Sequence, residues 1–116
     1  MFEIVSTLAA TKDIVVSFEV LELIDEETVK LIKVKALLYD SILLHLTELH
    51  TPRFQKYSYH LQGQDGALIA RWDNSSHWPE LSTFPHHKHQ AGEVLPSERG
   101  NIALVINFMR KRREVV

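Results

Sequence analysis

Tyr57–His89 reads YSYHLQGQDGALIARWDNSSHWPELSTFPHHKH, and its first half decides the fold. Phe54 to Gln62 and Ala67 to Asn74 each alternate polar with apolar residues, and GQDG joins them. Asp65-Gly66 between two alternating runs is a strong hairpin signal, because both residues accept the positive φ that a tight turn needs. A two-residue loop pairs Gln64 with Ala67 and sets Tyr59 opposite Trp72 and His60 opposite Arg71. A four-residue loop would shift the partners by two and keep the faces. One face of this hairpin carries Tyr57, Tyr59, Leu61, Leu68, Ala70 and Trp72. The other carries Lys56, Ser58, His60, Ile69, Arg71 and Asp73. The aromatic face is the expected core. The opposite face is a row of groups that donate, accept or carry charge.

Working outward toward the N-terminus, the same alternation recurs. Ile14 to Ile24, Val29 to Tyr39 and Ile42 to His50 read as three further strands, separated by Asp25-Glu26-Glu27, by Asp40-Ser41 and by Thr51-Pro52-Arg53. Lys33 and Lys35 share one face of the second run, and Ile32, Val34, Ala36 and Leu38 share the other. Residues 1–10 suit a short helix, with Ile4 and Leu8 on one side. Toward the C-terminus, Asn74 to Leu95 contains Pro79, Pro85 and Gly92, and Pro96 follows, so the segment reads as a long irregular connection. Asn101 to Met109 is a helix capped by Asn101, with Ile102, Val105, Ile106 and Met109 as its apolar stripe. The basic run Arg110–Arg113 after it reads as a solvated tail. The expected fold is α+β: a twisted, mainly antiparallel sheet of about five strands with a helix at each end, forming a single domain over residues 1–116.

The composition removes several function classes. With no cysteine, thiol nucleophiles, thiolate metal sites and disulfides are all excluded. No apolar run approaches the ~18 residues that span a bilayer. MFEIVST has no basic segment ahead of an apolar one, so neither a signal peptide nor a membrane location is expected, and the cytoplasm is the default. A net charge of -2 argues against a uniformly basic nucleic-acid binder and leaves room for a local basic patch. There is no Gly-rich phosphate loop and no nucleophile elbow.

What remains is a concentration of histidine. Five of the seven histidines lie in Tyr57–His89. In an extended segment His87 and His89 project to one side, a spacing used by zinc sites, with His77 or His60 as a third ligand. No carboxylate–histidine signature accompanies them, so no metal and no cofactor is assigned. A second reading is acid–base cleavage of RNA, which needs a base, an acid and a cation beside the developing charge. His60, Arg71, Asp73, His86, His87, Lys88 and His89 supply those types. Histidine 60 and one of His86, His87 and His89 would exchange protons, Arg71 and Lys88 would stabilise the phosphate, and Asp73 would orient a histidine or Arg71. Tyr57, Tyr59, Asn74, His77 and Trp78 are the candidate substrate-binding residues, Trp78 by stacking on a base. A third reading has Arg71 and Asp73 merely tying the loop down. Glu48 shares a face with Leu44 and Leu46 and reads either as a buried general base or, more commonly, as a strand-end carboxylate in water, and His45 and His50 have no evident companions.

The motifs YSYHLQ, RWDN with the following His77, and FPHHKH with a later PSE resemble the TumE-like family of small bacterial and archaeal toxins. The likeness runs from the strands near Phe18 to the final helix. Asp40 and Glu48 also match the pattern. Ser41 stands where the family has glycine, Ser75-Ser76 where it commonly has alanine-proline, and Trp78 where it has a second histidine. The resemblance implies a toxin of a toxin–antitoxin pair, a cognate antitoxin that is typically a helix-turn-helix protein, and a cytoplasmic target. Many small toxins of such pairs are ribonucleases, which by analogy favours metal-free acid–base chemistry with RNA as substrate. The alternatives are a non-catalytic protein-binding module and a metal-dependent hydrolase with a histidine site. Exposed strand edges leave a homodimer open.

Overall fold

Residues 2–115 are described by a computed structural model. Helix α1 is Phe2–Ala10, and Ile4 and Leu8, one turn apart, are its buried positions. Five strands then follow in close succession: β1 Val15–Asp25, β2 Lys30–Leu38, β3 Leu43–His50, β4 Gln55–Gln62 and β5 Leu68–Asp73. Each lies within a residue or so of the run whose alternation marks it. Between β2 and β3 the chain turns through Tyr39–Ser41, where Asp40 and Ser41 have φ of 56° and 59°. That is the left-handed region in which glycine is unstrained, so Ser41 occupies a conformation that suits the glycine of the family pattern.

The sheet has seven strands rather than five, all antiparallel and in sequence order. The two extra strands, β6 (His87–Gln90) and β7 (Glu93–Pro96), come from the segment expected to be irregular. Ala91 and Gly92 join them with φ of 53° and 77°, a turn whose twist suits a two-residue hairpin. Prolines do not forbid these strands because Pro85 precedes β6 and Pro96 ends β7, the outermost strand of the sheet. The irregular part of the connection is confined to residues 74–86.

Tyr59 pairs with Trp72 and His60 with Arg71, the register expected of the hairpin. The loop that produces it is longer than two residues. Gly63 N–H donates to the Ala67 carbonyl, and an irregularity at Leu61/Gln62 restores the register further along. One sheet face is therefore largely apolar, with Glu48 and Lys88 as charged members. Ile32, Val34, Ala36 and Leu38, Leu44 and Leu46, Tyr57, Tyr59 and Leu61, and Ala70 and Trp72 form one buried cluster with α1 and the last helix, α2 (Ile102–Val115). Trp72 meets Phe108 edge-on, with ring centroids 5.1 Å apart. At about 25 cal/mol per Å² of apolar area removed from water, this face is the main source of stability.

Helix α2 begins as expected, with Leu104 N–H donating to the Asn101 side chain at 2.9 Å. It does not end at Met109. The basic run continues the helix, and it is tied down rather than free: Arg110 forms a two-nitrogen contact with the Asp13 carboxylate, and Arg113 donates to the Asp13 carbonyl and lies over the Tyr39 ring. Among the described residues no helix is long and apolar enough to cross a membrane.

Candidate functional site

The polar sheet face carries no helix, and the strand registers align its side chains into rows. Lys35 pairs with His45, His45 with His60, His60 with Arg71, and Arg71 with His89. Five neighbouring strands thus contribute one cation or imidazole each to a single line across the sheet. The next line runs Lys33, Thr47, Ser58, Asp73 and His87. His45, which the sequence leaves without a companion, has its ring centroid 6.3 Å from that of His60.

Asp73 is where the two lines meet. Its Oδ2 accepts from Arg71 Nε at 3.0 Å and lies 3.6 Å from His89 Nε2. Its Oδ1 accepts from Ser75 N–H at 3.0 Å and lies 2.8 Å from His87 Nε2. Burial alone would raise its pKa. The Ser75 N–H, the Arg71 guanidinium and His87 outweigh that cost and hold the carboxyl below the ordinary carboxylate range. Arg71 also reaches His60, with Nη1 at 3.3 Å from Nδ1. His60 titrates below its ordinary value, first because of burial and then because of Arg71 and His45. His89 is shifted down as well, chiefly by burial, with Asp73 opposing the shift in part.

The connection after β5 closes one side of this face. Asn74 accepts from Tyr57 N–H at 3.0 Å and donates to the Gln55 carbonyl at 2.8 Å, which pins the end of β5 to the start of β4. Trp78 then stands edge-on to both His87 and His89, with centroids 6.3 and 6.2 Å away. The result is a cleft of about 620 Å³ that reaches from Lys33, Lys56 and Arg71 on the sheet to His77 and Trp78 on the loop. Thr47, Ser58, Asp73, Asn74 and His89 also face it.

Of the residues singled out in the sequence, the fold gathers His60, Arg71, Asp73, His87 and His89 on this face, with Asn74, His77 and Trp78 at its rim. It sends others to the helix side. Lys88 pairs across the sheet with Trp72, and its Nζ lies 5.2 Å from the Trp72 ring and 4.6 Å from the Phe108 ring, where burial lowers its pKa. His86 stacks on Tyr57 and shares a 2.9 Å hydrogen bond with its hydroxyl. Tyr59 is fully buried and donates to Glu48, which also contacts His50 at 3.0 Å and Arg99 at 3.7 Å. Glu48 is thus a buried partner of three groups rather than a strand-end carboxylate in water. Sequence reasoning overlooked Lys33, Thr47, Lys56 and Ser58 as cleft residues. Their signal was present, since all lie on polar strand faces, but using it requires chaining four registers together.

That Asp73 would orient a histidine, and that His60 and Arg71 would lie near His86–His89, was expected; that His87 and His89 reach Asp73 by a β5–β6 strand pairing was not, because the 74–86 connection separates the two strands.

No curated protein and no solved structure gives a significant match to this chain. A family model described as Toxin TumE matches residues 5–113 of the 116, from within α1 to within α2, and so takes in every strand and the whole cleft. The chain belongs to the TumE toxin family.

Proposed function

We propose that the protein acts on RNA at the polar face of the sheet, cleaving the phosphodiester by histidine acid–base chemistry. Membership of its family makes it the toxin component of a toxin–antitoxin system and implies an antitoxin partner. The observation that carries the RNA reading is the placement of Arg71 between His60 and His89 in one cross-strand line, beside a cleft that also holds Lys33 and Lys56. Two proton carriers flanking a cation is the arrangement that transesterification by a 2′-hydroxyl needs.

In this reading the backbone phosphate lies against Arg71. Asp73 grips the Nε edge of the guanidinium and so fixes its plane, leaving nitrogens at the other end for phosphate oxygens. One histidine removes the 2′-hydroxyl proton, and the oxygen attacks phosphorus. The bond from phosphorus to the 5′-oxygen breaks, and the other histidine protonates that oxygen. The downward shifts of His60 and His89 keep a neutral imidazole available as base near neutral pH. Lys33 and Lys56 extend the positive field along the strand of RNA, and Trp78 at the rim offers a stacking surface. His86, Lys88 and Tyr59 support the site from behind the sheet, and Tyr57 joins the core while also bordering the cleft. The cytoplasm is where such a toxin would meet its RNA, and a helix-turn-helix antitoxin would be the expected neutralising partner.

Incubating the purified protein with RNA in excess chelator tests this directly. Cleavage to 2′,3′-cyclic phosphate ends is the expected result. RNA that stays intact whatever the buffer favours the rival, a binding module whose cleft docks a protein.

A further inference from the structure

On the polar face, water hardly reaches His87, at 1% exposure. Its Nδ1 is 3.0 Å from the Pro85 carbonyl oxygen, an acceptor only, so Nδ1 carries a hydrogen and donates it. The free electron pair of a neutral ring is then on Nε2. That atom lies 2.8 Å from Asp73 Oδ1, yet it forms no aligned hydrogen bond with it, because the oxygen sits off the axis along which a ring N–H would point. A neutral His87 would thus hold a buried nitrogen lone pair beside a carboxylate oxygen with no aligned hydrogen bond, an arrangement that a cation shared by both would satisfy.

We infer that Asp73, His87 and His89 form a binding site for a first-row divalent transition-metal ion such as Zn²⁺. Four features support an ion over a proton. The ligand atoms of the three residues all lie within 4.8 Å of one another. Atoms held about 2.1 Å from a common ion lie roughly 3.0–3.4 Å apart, and the carboxylate approaches His87 through Oδ1 at 2.8 Å and His89 through its other oxygen, Oδ2, at 3.6 Å, so it would hold an ion with both oxygens. An oxygen off the lone-pair axis is what a shared ion requires, since the axis then points at the metal and not at the oxygen. Finally, the supports are those that metal ligands use. The Pro85 carbonyl fixes the His87 ring, and Ser75 N–H and Arg71 Nε hold the carboxylate. Two histidines and one carboxylate would leave coordination positions free, and Asp73 and His89 both line the cleft. Arg71 is the unfavourable element, a cation close to the ion. Its side chain is 39% exposed, so it can move outward while still touching Oδ2.

The site rests on the reading of this cleft as the working surface and not on ribonuclease chemistry. An ion here takes His89 as a ligand and withdraws it from proton transfer, so zinc suppresses the metal-free reaction.

The test is titration of the chelator-stripped full-length chain with Zn²⁺ alone, and with Co²⁺ for its visible spectrum. One ion per chain is expected, at micromolar affinity or tighter, with a cobalt spectrum showing nitrogen and oxygen ligation. Asp73 and His87 are buried, so D73N and H87A can fail to fold. The partly exposed His89 gives the variant that survives this, His89→Ala, with binding weakened at least tenfold and thermal stability unchanged. His50→Ala, on the Glu48 side, leaves the affinity as it was. Absence of stoichiometric binding, or binding that H89A does not weaken, overturns the site and leaves an ordinary buried His–Asp pair. Intact RNA in chelator sinks the metal-free ribonuclease reading without touching the isotherm. Cleavage that appears only with zinc does the same while confirming the ion.

Discussion

Gly100 shows how little room the core leaves. A Cβ added there would lie 2.6 Å from Tyr57 Cε1 and 3.0 Å from Trp72 Cβ, both on the packed face of the hairpin. The backbone N–H of the same residue donates to the Tyr57 hydroxyl at 2.9 Å. Gly100→Ala therefore forces two aromatic residues apart and disturbs that bond. Overpacking of this kind costs about 1–3 kcal/mol, and chemical denaturation should show a loss in that range. An unchanged midpoint would mean that the chain before α2 does not pack where it is placed here. The identity of Gly100 was not legible as a packing constraint in the sequence, where PSERG reads as one more loop. Trp72 and Tyr59 were legible, because period-two alternation fixes their face whatever they touch.

At the scale of elements, hairpin β4–β5 was readable and hairpin β6–β7 was not. Asp65-Gly66 advertises its turn, and two long alternating runs flank it. Ala91-Gly92 joins strands of only four residues each, HKHQ and EVLP, which carry no alternation long enough to register. Propensity argues against the turn as well, since Ala91 adopts φ of 53°, a region that costs a side-chain-bearing residue roughly 1–2 kcal/mol. Asparagine tolerates that conformation. Ala91→Asn should raise stability by about 0.5–1 kcal/mol in a denaturant series, the part of that strain an asparagine recovers. A loss of stability would contradict the turn. The candidate site depended on this hairpin. Arg71, Asp73 and His60 could be placed on one face from the sequence, but bringing His87 and His89 beside them needs the pairing of β5 with β6. That pairing crosses the 74–86 connection, over which no local pattern carries information.

Across the whole molecule, the sheet separates two environments, and the histidines report on it. His60, His86 and His89 all titrate below the ordinary histidine value, with burial the largest cause in each case. A lowered pKa means that the unfolded chain takes up protons before the folded one does. Stability is then flat above about pH 7.5 and falls as the pH drops through the unfolded value of about 6.5 toward the folded values. Thermal unfolding in chelator should show the midpoint falling between about pH 7.5 and pH 5.5. His60→Gln removes one of the three contributions and should flatten the slope. A midpoint that rises over the same interval would mean that charged imidazoles are favoured in the fold, against the burial described.

The cross-strand line from Lys35 to His89 is also a property of the whole sheet, since no single hairpin supplies more than two of its members. Arg71 ties it to the next line, hydrogen-bonded to Asp73 there and in contact with His60 in its own. The most direct test of its role is cleavage of RNA in excess chelator by the wild-type chain and by Arg71→Ala, with circular dichroism and the unfolding midpoint taken on the same samples. The wild-type chain should cleave, and the folded variant should lose at least a hundredfold in rate, as expected when a charge-stabilising donor is removed. Undiminished cleavage by a folded Arg71→Ala variant would contradict the account.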